Sequence, residues 1–259
     1  MNLTDELEGL TDKLLEVSMK LKLAESELVA VREEHEKELS KFSHNLKNPV
    51  GIISSFVEMM QSNESLDEEK RLKYLSIIKS SSKFSIDLIN SFEEYYKLKN
   101  GSIPFKLESV NYNAFIQELA VNQRTFLEQR KQVIEVTDHS SFSENCLLDK
   151  EQFSKVFNNI VSNASRFSSE NSKIIIEIST NESEMITTFS DSGLGVSASD
   201  LPKLSQSFFT ANSYDVYHER CMGLGLSKAK MILNKMGGTL SFKSEPEKGT
   251  QVNLRFNRN

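Results

Sequence analysis

Four groups of side chains in this sequence have types and spacings that could do chemistry. Phe42-Ser-His44-Asn45-Leu-Lys-Asn48-Pro49-Val50 holds a histidine; on a helical wheel Leu39, Phe42, Leu46 and Ile53 share one face and His44 points away from it. A solvent-facing imidazole can carry a proton or act as a nucleophile near neutral pH, and it can equally be an ordinary surface residue. Asn159-Ile-Val-Ser-Asn163-Ala-Ser-Arg166-Phe167 puts two amides and a guanidinium within two turns of one helix face, while Val156, Phe157, Ile160, Val161 and Ala164 take the other. Asparagine inside a helix costs stability, so two in register call for a reason, either polar packing or a ligand. Asp191-Ser-Gly193-Leu-Gly195 follows a strand, as an ordinary turn can. Gly223-Leu224-Gly225-Leu226-Ser227 opens a helix, where backbone N–H groups and the helix dipole can receive phosphate oxygens.

The elements that must position these groups fall into two kinds. Leu7, Leu10, Leu14, Val17, Leu21, Ala24, Leu28 and Val31 alternate at steps of three and four, which is a coiled-coil heptad pattern. It then skips to Leu39, a stutter that is either an irregularity or a joint passing helix rotation to His44. Pro49 should kink or loosen the helix. A break at 61–65 follows, and Ser65 with Glu68 reads as a capping box opening a second helix, whose side Leu72, Leu75, Ile78, Ser82, Ile86, Ile89, Phe92, Tyr96 is mostly apolar and which ends at Asn100-Gly101. One such hairpin cannot bury its apolar stripes alone; two copies can, as a parallel homodimer forming a four-helix bundle with His44 outside. A purely structural dimerisation rod would have the same pattern.

After a linker at 101–104 the pattern changes. It predicts a strand at 105–108, a helix at 112–130, a strand at 133–136, a short strand around Leu147 ending at Asp149, and a helix at 150–167. A hairpin at 173–179 and 185–191, a long irregular stretch, a helix at 224–236 and strands at 239–243 and 250–256 complete the chain. The whole is read as α+β: a coiled coil over 1–38, a dimeric helical hairpin over 39–101 and an α/β sandwich with one helical layer over 102–259.

Composition narrows the function classes. The chain has 259 residues, 26% of them charged, and a net charge of -6, without a basic run interleaved with aromatics. A nucleic-acid footprint is therefore not expected. No stretch reaches the roughly 18 apolar residues of a membrane helix and the acidic start is unlike a signal peptide, so the chain is read as soluble and cytoplasmic. Cys146 and Cys221 lie far apart and outside any Cys/His cluster, as small buried or loop residues do.

Taken in order and together, the motifs of residues 149–250 resemble the ATP-binding domain of sensor histidine kinases, whose superfamily includes type II topoisomerases, mismatch-repair ATPases and a heat-shock chaperone. That resemblance implies ATP and Mg²⁺ as cofactors. It implies that Asn163 ligates Mg²⁺, that Asn159 and Arg166 serve the phosphates, and that Phe167 lines the nucleotide pocket. Asp191 would accept a hydrogen bond from the adenine amino group, with Gly193 and Gly195 letting the backbone close over the base. Phe208-Phe209 would belong to a flexible lid; Gly223, Leu224, Gly225 and Leu226 would face phosphate, Gly249-Thr250 would lie beside adenine, and Asp149 would be structural. Cys221 stands where many relatives have a further glycine.

Phe42-Ser-His44-Asn45-Leu-Lys-Asn48-Pro49 likewise resembles the phosphoacceptor motif of those kinases, and only that branch joins such a hairpin to this nucleotide fold. The resemblance implies autophosphorylation of His44 from Mg-ATP and transfer to an aspartate of a response-regulator receiver domain. Asn48, one turn after His44, would position water for dephosphorylating that regulator. A regulator-docking pseudokinase and an ATPase clamp of the chaperone type are the alternatives; the clamp needs a glutamate near the asparagines, and Glu151 is eight residues from Asn159. Nothing before His44 is more than a coiled coil, so the signal arrives through a partner, such as a membrane receptor, or from a sensor segment of a longer chain.

Relatives usually carry Glu or Asp where this sequence has Asn45. An amide can orient the imidazole but brings no charge to stabilise positive charge developing on the ring, so slow or conditional phosphorylation is expected. Asn45→Asp should accelerate phosphorylation of His44 in a well-folded dimer; an unchanged rate in a single-turnover assay refutes the charge argument.

Overall fold

The computed structural model describes residues 3–62, 66–140, 145–181 and 183–257. The first element, α1 (Leu3–Gln61), is one helix of 59 residues that continues through the buried Pro49. The missing N–H at Pro49 is therefore accommodated without ending the helix. Leu10, Leu14, Val17, Leu21, Leu28 and Val31 are each more than half exposed, so the heptad stripe is not covered within one chain.

The second helix, α2 (Glu68–Lys99), starts from Asp67, whose carboxylate accepts from the Lys70 backbone N–H at 2.8 Å. The cap expected at Ser65 is thus corrected to Asp67: a carboxylate two residues later satisfies the free N–H and complements the helix dipole. Ser65 itself lies outside the described residues. At the other end Gly101 adopts φ 69° and donates to the Leu98 carbonyl, while Ser102 donates to the Lys97 carbonyl, which closes the helix.

α1 and α2 pack as an antiparallel pair, with Phe42 stacked on Phe92 at 4.1 Å and Phe56 edge-on to Tyr74 at 4.9 Å. Within one chain half of the α2 stripe assigned to the dimer contact is exposed, at Leu72, Leu75, Ile86 and Ile89, while Leu88, Tyr95 and Leu98 on a second stripe are buried. The second stripe packs against α1 and the C-terminal half of the chain, which helical spacing alone does not reveal.

That half begins with β1 (Glu108–Asn111), followed by α3 (Tyr112–Glu128), β2 (Val133–Asp138), β3 (Asn145–Leu148) and α4 (Lys150–Phe167). Then come β4 (Lys173–Thr180), β5 (Glu184–Ser190), a 3-10 turn at Leu201–Lys203, α5 (Gly225–Lys235), β6 (Gly238–Ser244) and β7 (Thr250–Asn257). Five strands form a sheet in the order β2-β4-β5-β7-β6, antiparallel except for β2 beside β4; β1 and β3 form a separate antiparallel pair. The helices lie on one face, and Phe153, Phe157, Ile160, Ile174, Ile176, Ile178, Phe189 and Leu254 fill the interior at 1% exposure or less.

The expected strand at 105–108 is shifted to 108–111. Val110 is the buried residue of this strand and pairs with Cys146, whereas the Lys106 N–H turns to the Asp149 carboxylate at 2.7 Å. Asp149 is 5% exposed, and its second oxygen accepts from the Gln152 N–H at 2.9 Å, capping α4. One buried carboxylate thus ties the linker side of the domain to the start of the asparagine helix. Asp149→Ala leaves two N–H groups without acceptors and should lower stability by about 2 kcal/mol, with Asp149→Asn costing less because it retains one acceptor; urea unfolding checks the order of the three proteins.

Candidate active site

α4 is amphipathic in a way that builds a site. Its inner residues Phe153, Val156, Phe157, Ile160 and Val161 are almost completely buried on the sheet, which holds Asn159, Asn163 and Arg166 on the other face. These three and Phe167 line a cavity of about 220 Å³. Across it stand Gly223, Leu224, Gly225 and Leu226, and the apolar wall includes Phe189 and Val252. Leu224 occupies the N-cap of α5 and makes no side-chain cap hydrogen bond, so the first-turn N–H groups are not capped by a side-chain oxygen. A Cβ at Gly225 would lie 3.2 Å from Asn159 Oδ1 and 3.8 Å from Asn163 Nδ2. The two amides therefore converge on a helix N-terminus, an arrangement suited to anionic oxygens and a hard cation they carry.

The other end of the cavity is formed by Asp191, Gly195 and Thr250. Asp191 Oδ1 accepts from the Gly193 N–H at 2.9 Å and the Thr250 N–H at 3.1 Å. Among the described residues Oδ2 has no hydrogen-bond partner, which leaves one carboxylate oxygen for a ligand donor. Gly249 makes this end possible: it has φ 86°, and a Cβ there would stand 1.9 Å from the Asp191 carbonyl oxygen. Gly193 is buried against the Phe167 backbone and does not line the cavity, so its part is packing rather than contact.

Two expected residues are placed differently. Arg166 lines the cavity, but its Nε donates to Asp215 Oδ2 at 2.6 Å and its Nη2 to the Arg220 carbonyl at 3.0 Å. The Asp215 side chain is completely buried, and its other oxygen accepts from the Tyr217 and Glu219 N–H groups at 3.0 and 2.8 Å. Arg166 is therefore committed to the loop 215–221, because a buried carboxylate requires a counter-charge. Cys221 lines the cavity nearby, and burial pushes its thiol pKa up. Phe208 does not line the cavity: it packs on Phe92 at 5.9 Å and Tyr95 at 6.5 Å, in a cluster with Leu88, Leu224, Phe42 and Leu46. Phe209 takes the position at the cavity.

His44 is exposed on α1, with Asn45 and Asn48 half-buried beside it, and none of the three lines the cavity. The contacts between the hairpin and the C-terminal domain are made elsewhere on the two helices. Glu38, only 4% exposed and bonded within the hairpin to Tyr95 and, at 2.9 Å, to Lys99, accepts across to the domain from Ser207 at 3.3 Å; the Arg220 guanidinium lies 5.5 Å from the Phe84 ring. Sequence reasoning missed Ser91 and Lys228, which also line the cavity. A lysine among Leu224, Ala229, Ile232 and Leu233 was the available sign, since Lys is rarely buried without a partner.

Burial raises the Asp191 pKa, and its hydrogen bonds from Gly193 and Thr250 only partly oppose this. The folded state therefore favours the neutral acid, and ionisation subtracts from stability at pH values above the ordinary carboxylate range. Asp191→Asn, which keeps an acceptor for both N–H groups, should melt at or above the wild-type temperature at pH 7. Its adenine-nucleotide affinity should fall about tenfold or more, because the amide offers a donor to a donor. Wild-type affinity should also decline as pH falls through the raised pKa; thermal melts and nucleotide titrations across pH read all three.

Comparison with known proteins matches these two halves separately. Residues 34–101 match the His Kinase A (phospho-acceptor) domain, and residues 148–259 match the Histidine kinase-, DNA gyrase B-, and HSP90-like ATPase family. The sensor histidine kinase YcbM of Bacillus subtilis is 24% identical over 222 residues, 85% of this chain and 70% of that protein. The sensor protein kinase WalK of Staphylococcus saprophyticus is 24% identical over 224 residues, 86% of this chain but only 36% of that protein. The histidine kinase ThkA, solved in complex with the response regulator protein TrrA, superposes with a TM-score of 0.64 at 21% identity, over 84% of this chain and 60% of that one. With both family models matched in this order, on the hairpin and on the sandwich respectively, the chain belongs to the sensor histidine kinases of two-component signalling.

Proposed function

We propose that this chain, as a parallel homodimer, transfers the γ-phosphoryl group of ATP to His44 and from there to an aspartate of a response-regulator receiver domain. The observation that carries the reading is the pairing, in one chain, of an exposed histidine on a helical hairpin with a cavity whose ends suit adenine and phosphate. The division is a coiled coil over 1–38, a phosphoacceptor hairpin over 39–101 and an ATP-binding domain over 102–259. The uncovered stripes of α1 and α2 supply the dimer contact, and the ThkA complex with TrrA supports a regulator as the partner.

In this mechanism Asp191 Oδ2 accepts from the adenine amino group, and Thr250, Gly195 and Phe167 hold the base end. Asn159 and the N–H groups of Gly225 and Leu226 face the phosphates. Asn163 is the protein ligand for Mg²⁺, which when bound offsets phosphate charge. A neutral His44 nitrogen attacks the γ-phosphorus in line; the N–P bond forms as the bond to the ADP oxygen breaks, and Asn45 orients the ring. The labile phosphoramidate then passes its phosphoryl group to a carboxylate. Asn48 lies on nearly the same helix face as His44, so water activation against the regulator phosphate is part of the same reading, measurable as a shortened regulator-phosphate lifetime.

Phe42 and Leu46, which pack with Phe208, each lie two residues and therefore about 160° around α1 from His44. Transfer to His44 of the same chain therefore requires the ATP-binding domain to leave this docking face, swinging on residues 101–104. The clamp alternative is disfavoured by Glu151, which is 78% exposed and paired with Lys155 at 3.3 Å rather than turned to the cavity. Incubation with radiolabelled ATP should place acid-labile label on wild type and none on His44→Gln. An unlabelled wild type leaves a pseudokinase, and ATP hydrolysis indifferent to His44→Gln restores the clamp.

A further inference from the structure

Lys228 in the first turns of α5 is, with Arg166, one of two cations that line the cavity among the described residues, and its side chain is 10% exposed. Its ammonium is held 2.6 Å from Glu94 Oε2 on α2, whose other oxygen lies 3.4 Å from Lys155 of α4. Ser91, nearly one turn earlier on α2, lines the cavity too. The hairpin thus closes one side of the cavity and presents a carboxylate to a lysine that belongs to the cavity wall.

The two cations of the cavity differ in what they can exchange. Arg166 is bound to a completely buried Asp215 whose second oxygen is committed to two backbone N–H groups, so opening that pair would dismantle the loop 215–221. Glu94 is 30% exposed and retains Lys155 as an alternative partner, and Lys228 has a flexible stem. A triphosphate entering the cavity beside Asn159 and Gly225 brings several negative charges into a site of low polarity. Lys228 is the cation able to turn to them, at the cost of its bond to Glu94.

We propose that Lys228 is a phosphate-contacting residue of the nucleotide site and that Glu94 competes with the phosphates for it, so that nucleotide binding weakens the hold of the ATP-binding domain on α2. The inference rests on the cavity being the ATP site. Because coupling between two equilibria is reciprocal, docking on α2 lowers ATP affinity by the same factor by which ATP lowers docking. Glu94 is then a positioning residue: it parks Lys228 while the domain rests on the hairpin. The Glu38 cluster and Phe208 contribute to the same docking, so loss of the Lys228 bond loosens it without abolishing it.

The test is calorimetric titration of the full chain with ATP and, separately, with adenosine, which lacks the phosphates. Lys228→Met should lower ATP affinity about tenfold, the scale of one charge-assisted hydrogen bond, and leave adenosine affinity within about twofold. Lys228→Arg should restore most of the loss. Glu94→Gln should raise ATP affinity several-fold without moving adenosine, and the Glu94→Gln/Lys228→Met double variant should match Lys228→Met, since the competition has no object once the lysine is gone. Adenosine binding certifies that each variant is folded. Unchanged ATP affinity in Lys228→Met, or parallel changes for ATP and adenosine in Glu94→Gln, overturns this inference alone. A wild type that binds no ATP overturns the ATP-site reading with it.

Discussion

The burial of one face of α4 on the five-stranded sheet is the constraint from which the rest of the catalytic half follows. Phe153, Phe157, Ile160 and Val161 have essentially no exposed surface, so the helix cannot rotate without exposing large apolar side chains. Among the described residues no hydrogen bond holds the amides of Asn159 and Asn163, which are aimed by the burial of the opposite face. Their helix-propensity cost is small beside the burial on the opposite face, which is why polar residues can be kept mid-helix for a ligand.

A second theme is that charges around the cavity are neutralised by different parts of the chain. Arg166 is paired within its own half of the chain, by Asp215, and that pair orders the loop 215–221. Lys228 is paired across the domain boundary, by Glu94 on α2, and that pair records whether the two halves are docked. The same kind of bond thus does structural work in one place and is available for regulation in the other. Burial of the acceptor separates the two cases: Asp215 has no alternative partner in solvent, and Glu94 does.

The docked arrangement also explains the use of aromatic residues on the hairpin. Phe209 rather than Phe208 lines the cavity, and Phe208 joins Phe42, Phe92 and Tyr95 in a core shared with the helical hairpin. The cluster lies on the face of α1 opposite His44. That face is not the one carrying the same chain's His44, and the contact of Glu38 with Ser207 fixes the position of the domain along the helix.

Much of this was legible in the order of residues. Period-3.6 patterning placed α4 with both ends as observed, a period-2 pattern placed β4 and β5, and three of the four motifs identified cavity walls, because each depends on neighbours within a few residues. The N-cap of α2 and the shift of β1 were missed because the deciding oxygen, on Asp67 or Asp149, competes locally with other plausible partners. Helical spacing also could not say which of the two α2 stripes one chain buries. The sequence by itself determined that a histidine hairpin and a nucleotide cavity coexist, since their motifs are local in chain and chemistry. Only the tertiary structure decided that Arg166 turns to Asp215, that Phe208 turns to the bundle and that Lys228 meets Glu94. Those choices rest on charge pairing and apolar contact between residues 49 to 166 positions apart, which no local spacing encodes.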